Sequence, residues 1–155
     1  MDNIPDNSDK LNIAGSPVDP NEITVTADLS NLDVVTDFID ERLAADHCRA
    51  GALIQINVAI DEIFSNVAHY AYTKGSGKVT IKYDFWPESS RVSISFTDSG
   101  IPFNPLEHED PDITLSLAER EVGGLGIMMV KKTMDSVGYR FDDGCNILTI
   151  EKTIF

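Results

Sequence analysis

Two periods organise the apolar and polar positions of this chain, one of two residues and one of about 3.6, and the switches between them delimit its elements. Residues 1–20 follow neither period. They are rich in Asp, Asn, Ser and Pro and read as a flexible tail ahead of a domain spanning 21–155. From Glu22 the pattern alternates, with Ile23, Val25 and Ala27 on one face and Glu22, Thr24 and Thr26 on the other, which predicts a strand. Ser30 with Asp33 suits a capping box, and Leu32, Val35, Ile39 and Leu43 share one helical stripe behind it. A longer helix is predicted from about Ala50 to Tyr72, ending before Lys74-Gly75-Ser76-Gly77. Two alternating runs follow, with Val79, Ile81, Tyr83 and Phe85 on one face of the first and Val92, Ile94 and Phe96 on one face of the second. Their connection, Trp86 to Ser90, suits an antiparallel hairpin. Residues 101–122 are aperiodic and rich in acids, a length that compact domains rarely carry without a function, and they read as a lid. A helix from about Gly124 to Ser136 precedes a hairpin carrying Tyr139, Phe141, Leu148 and Ile150 and turning at Asp143-Gly144. This order is α+β, with about three helices on one face of a mainly antiparallel five-stranded sheet.

Charge narrows the function. The 155 residues carry 12 Lys and Arg against 26 Asp and Glu, a net charge of −14. Such a surface repels nucleic-acid phosphates and anionic membranes, so neither is an expected partner. A polyanionic ligand would need local neutralisation by a metal ion, helix N-termini and a few placed cations. Cys48 and Cys145 have no metal-type spacing and are too few for a disulfide scaffold. The N-terminus has no basic segment followed by an apolar run, and no stretch approaches the roughly 20 apolar residues that span a bilayer. A soluble cytoplasmic protein is the expectation.

Three segments carry candidate chemistry. On the long helix, Leu53, Ile56, Ile60, Ile63, Phe64, Val67 and Ala71 form the apolar face, while Gln55, Glu62, Asn66, His69 and Thr73 lie opposite. Such a face is most often a solvated helix back. Here, however, one carboxylate is followed a turn later by a neutral amide, so Glu62 and Asn66 could converge on one ligand. An amide oxygen suits Mg²⁺, and a neighbouring carboxylate can orient a nucleophile. At the exit of a buried strand, Asp98-Ser99-Gly100 either makes a turn or offers an acceptor to an exocyclic amine with room for a flat base. Gly123-Gly124-Leu125-Gly126 opens a helix and is either a loose start or an anion site built from free N–H groups. Met128, Met129 and Met134 read as core filling, and Lys131 and Lys132 as surface charges.

Taken in order, these segments resemble the motifs of the GHKL, or histidine-kinase-like, ATPases. Glu62-Ile63-Phe64-Ser65-Asn66 with His69-Tyr70-Ala71-Tyr72 resembles the N box, Asp98 to Pro105 the first glycine box, and Gly123 to Lys132 the second. The variant is similar to the bacterial anti-sigma-factor serine kinases, with Glu119-Arg120 standing shortly before Gly-Gly-Leu-Gly, and the match runs from about Ile23 to Lys152. The resemblance implies a Bergerat-type two-layer sandwich with an ATP lid. It implies that Asn66 holds Mg²⁺, that Glu62 is the base or orienter, and that Asp98 reads the adenine amine above Gly100. It further implies that Gly124, Leu125 and Gly126 cradle phosphates, that Arg120 meets the γ-phosphate, and that Thr149 lies near the adenine. The run Leu106 to Asp112 departs from expectation, being acidic where a polyanion should dock, and His108 within it reads as an exposed loop histidine.

The implied function is ATP- and Mg²⁺-dependent phosphorylation of a Ser or Thr on an anti-anti-sigma (STAS-type) protein, together with binding of a sigma factor or similar regulator. Homodimerisation is left open. A second reading is a non-catalytic, ATP-dependent binding switch, against which the presence of Glu62 counts. A third is a detached histidine-kinase catalytic domain, against which counts the lack of a second helical hairpin to carry a phosphoacceptor.

Overall fold

The computed structural model describes residues 19–72, 77–107 and 124–155. Its elements run β1 (Glu22–Thr26), α1 (Leu32–Ala45), α2 (Ala50–Asn66), β2 (Lys78–Trp86), β3 (Arg91–Asp98), α3 (Gly124–Thr133), β4 (Ser136–Asp142) and β5 (Cys145–Thr153). The sheet order is β1-β2-β3-β5-β4, and every pairing is antiparallel. This is the α+β architecture expected, with three helices and five strands.

Strand alternation sorts the sheet into two faces. Ile23, Ile81, Phe96, Leu148 and Tyr139 lie in one row across all five strands, pairing in that order. With Val79, Tyr83, Ile94 and Ile150 they meet the stripes Val35-Ile39-Leu43 of α1 and Ile56-Ile60-Ile63 of α2, closing one core between helices and sheet. The opposite face carries Thr24, Thr80, Lys82, Ser95 and Thr149, short or polar side chains that leave it uncovered.

Several local expectations change. The first helix is started by Asp28, whose carboxylate accepts the Ser30 N–H at 2.8 Å and opens a 3₁₀ turn at Leu29–Asn31; no Ser30–Asp33 box forms. The long helix is not α-helical to Tyr72: it ends at Asn66 and continues as one π-helical turn, Val67–Ala71. The third helix stops at Thr133, because β4 begins at Ser136. Met134 is buried as expected, whereas Met129 is 43% exposed and fills no core. Phe141 is likewise 46% exposed, lying on the edge strand. Among the described residues no helix is long and apolar enough to cross a membrane.

Candidate functional site

The C-terminal end of α2, the exit of β3 and the start of β5 meet around a cleft open to solvent. Its walls are apolar (Ile63, Val67, Phe96, Ile101, Phe103 and Leu148 among them), and its polar groups are Asn66, Asp98, Tyr139 and Asn146. A mostly apolar cleft with a few convergent polar groups is what a flat heterocyclic ligand requires. Tyr70 stacks on Phe103, ring centroids 5.6 Å apart.

Asp98 is 6% exposed at the last position of β3. Its Oδ1 accepts the Gly100 N–H at 2.9 Å and the Asn146 amide at 2.9 Å. Its Oδ2 makes no hydrogen bond among the described residues. A free acceptor on a buried residue at the cavity wall is suited to an exocyclic amine. Gly100 is required here by packing: a Cβ would lie 2.1 Å from the Ala71 carbonyl oxygen. The π-helical turn brings that carbonyl to the loop, where it accepts the Ile101 N–H at 2.9 Å. Ala71 is the last residue of the helix, so its carbonyl has no partner within the helix and the Ile101 N–H satisfies it.

Glu62 and Asn66 sit one turn apart at the end of α2, but their face is no solvated back. The exposed side of α2 carries Gly51, Ile54, Val58 and Asp61 instead. Asn66 lines the cavity and its amide makes no hydrogen bond among the described residues. Glu62 lies against α3, where a Cβ on Gly126 would come within 1.9 Å of its carboxylate. Partial burial, and then the neighbouring Asp61 charge, push the Glu62 carboxyl above the usual glutamate range. A carboxylate with a raised proton affinity beside a helix N-terminus is placed to take a proton near a bound anion.

The structure therefore brings Asn66 and Asp98 to the cavity with Gly100 beside Asp98, and sets Glu62 against Gly126 one turn of α2 from Asn66. Gly124 and Leu125 form the first turn of α3. Arg120, and the lid from residue 108 to 122, lie outside the described residues. Thr149 is a correction. It lies between Leu148 and Ile150, both on the core face of β5, so strand alternation turns it to the opposite face, paired with Ser95. Asn146, two positions before Leu148, occupies the place expected of it in the cavity, and Tyr139 joins it from β4. The signal for Asn146 was present: a polar residue in phase with Leu148 and Ile150 falls on a buried face.

Among the described residues no group of three His, Cys, Asp or Glu could hold a metal ion by itself. The donor set fits Mg²⁺ all the same, since that ion is commonly held by one or two protein oxygens together with phosphates and water. Asn66 supplies such an oxygen at the cavity wall.

Comparison with known proteins gives the family. Residues 25–152 match the model of the histidine kinase-like ATPase domain. A serine/threonine-protein kinase BtrW of Bordetella bronchiseptica is 25% identical over 135 residues, covering 87% of this chain and 93% of that protein. A serine-protein kinase RsbW of Bacillus mycoides is 26% identical over 97 residues, covering 60% of this chain and 59% of the relative. In fold, the chain is similar to a crystal structure of the RsbU and RsbW domains of a Mycobacterium tuberculosis protein. That likeness has a TM-score of 0.58 at 15% identity, covering 90% of this chain and a third (33%) of the longer one. The chain belongs to the family of histidine kinase-like ATPase domains.

Proposed function

We propose that this chain is a cytoplasmic protein serine/threonine kinase that transfers the γ-phosphoryl group of ATP to a Ser or Thr of a STAS-type anti-anti-sigma protein. By the same reading it also binds a sigma factor or similar regulator. The observation that carries the proposal is the Glu62 carboxylate packed on Gly126 at the start of α3, one turn from the cavity-lining Asn66. The serine and serine/threonine kinase names of the relatives support it.

In this reading the base lies in the cavity against Ile101, Phe103 and Leu148, with its amine on Asp98 Oδ2. The N-terminal N–H groups of α3, Gly124 to Gly126, receive phosphate oxygens. Asn66 would hold Mg²⁺, which supplies positive charge to the phosphates. Glu62 accepts the proton as the substrate hydroxyl oxygen bonds to the γ-phosphorus and the bond to the bridging oxygen breaks, releasing ADP. The role expected of Arg120 rests on the sequence.

The test pairs binding with transfer. Mg-ATP should raise the melting temperature through its preference for the native state, and Asp98→Asn should weaken that gain. Glu62→Gln should leave the gain intact and lower transfer to the partner about 10²–10⁴-fold. Stabilisation by Mg-ATP without transfer to any STAS-type protein would leave a binding switch instead. No stabilisation at millimolar nucleotide would sink the site.

A further inference from the structure

Asn146 uses every hydrogen-bonding position it has. Its Nδ2 donates to Asp98 Oδ1 at 2.9 Å and to the Ile101 carbonyl at 2.8 Å. Its Oδ1 accepts the Phe103 N–H at 3.1 Å and the Tyr139 hydroxyl. The partners dictate this orientation: a carboxylate and a carbonyl only accept and a backbone N–H only donates, so a flipped amide would break three bonds. With no valence left for a ligand, Asn146 acts on its neighbours.

We infer that Asn146 is a positioning residue that makes the cavity select a 6-aminopurine over a 6-oxopurine nucleotide. The inference rests on the reading that the cavity holds a purine nucleotide. Oδ1 of Asp98 is taken by Gly100 and Asn146, so the carboxylate is held in one orientation with Oδ2 as its remaining acceptor. A 6-amino group donates to that oxygen. A 6-oxo group opposes it with a second acceptor, leaving both unpaired in a poorly solvated place, the situation that gives the largest discrimination between similar ligands. The same amide also ties down Ile101 and Phe103, two residues of the cavity wall. One side chain thus sets both the acceptor and the wall facing it.

Asn146→Asp tests this with an isosteric change that turns the donor facing Asp98 and Ile101 into an acceptor. Affinities for Mg-ATP and Mg-GTP are measured by calorimetry on the full chain, with far-UV circular dichroism as a check of folding. The wild type should prefer ATP by about tenfold or more, and the variant should lose at least about tenfold of that preference. Asn146→Ala buries no second carboxylate and should show the same loss, which keeps the test valid if the Asp variant folds poorly. Thr149→Val, on the other face of the same strand, should leave the ratio as it is. A merely structural role would weaken both nucleotides alike, so an unchanged ATP-to-GTP ratio in the Asn146 variants overturns the inference. Equal wild-type affinity for the two nucleotides overturns it too, while sparing the site. Binding of neither removes the nucleotide reading itself.

Discussion

Glu62, the base of the proposed reaction, sits at some expense to the fold. Its folded carboxyl binds a proton more tightly than it does in the unfolded chain, first because of burial and then because of Asp61. The native state therefore holds more protons between the ordinary glutamate range and the raised value, and stability falls as pH rises through that window. Above it, the cost of the ionised carboxylate remains. Glu62→Gln should accordingly melt higher than the wild type at pH 7, with the gain shrinking toward about pH 4, where both forms are neutral. A melting temperature lowered at pH 7 would mean that the carboxylate is compensated in a way its neighbours do not reveal. Gly100 is the opposite case, a residue defined by what it lacks. An added Cβ would meet backbone rather than a movable side chain, at 2.1 Å. Gly100→Ala should therefore cost about 2–3 kcal/mol in urea unfolding, the scale of overpacking. Asp98 and Glu62 stood out in the sequence because acids at a strand exit and on a helix flank break a pattern. Asn146 was legible only through its phase on β5.

At the scale of elements, caps and breaks position the site. α1 closes in a Schellman motif: the His47 N–H reaches the Ala44 carbonyl at 3.2 Å, and the Cys48 N–H reaches Leu43 at 3.0 Å. The residue that must turn left-handed there is His47, at φ 60°, where glycine has no Cβ to crowd the carbonyl. His47→Gly should stabilise the fold by roughly 1 kcal/mol, read from the denaturation midpoint at constant m. A loss of stability would show that the imidazole makes a compensating contact. α3 is held at its far end by Lys152, buried on the core side of β5, whose Nζ donates to the Thr133 carbonyl at 2.6 Å. A cation on the last carbonyls complements the helix dipole, so β5 secures both ends of the site: Asn146 at the cavity and Lys152 under α3. The two hairpins were readable from their turn residues, Asp143-Gly144 having φ values of 50° and 76°. The π-helical turn was not. Its sequence continues the apolar stripe of α2, and only the loop carrying Gly100 and Ile101 draws the Ala71 carbonyl out of line.

Over the whole molecule, charge opposes the nucleotide proposed for the site. A net charge of −14 sets up a field that repels phosphates, so a bound polyanion must be neutralised locally. Added salt screens the long-range repulsion more than contacts inside the cavity. Affinity for Mg-ATP should therefore rise by about twofold or more when NaCl is raised from about 20 to 200 mM at fixed free Mg²⁺, measured by calorimetry. A clear fall would place cations close to the phosphates in control.

What the sequence determined by itself was the layer structure and the kinds of chemistry available. Periods of two and 3.6 specify which residues face the core whatever the partner element is, so Ile81, Phe96, Val35 and Ile60 were assignable in advance. The set Glu62, Asn66, Asp98, Gly100 and Gly126 was visible too, through its resemblance to the ordered motifs of a known family. Tertiary structure decided which of them meet. The antiparallel order β1-β2-β3-β5-β4 places Asn146 beside Asp98, 48 residues away in the chain. The packing of α3 on α2 puts Gly126 against Glu62. The face of Thr149 needed no such pairing: Leu148 and Ile150 flank it and face the core, so alternation within β5 turns it outward. Local periodicity determines a face within an element, whereas a site needs faces from several elements at one point in space, and long-range pairing alone supplies that.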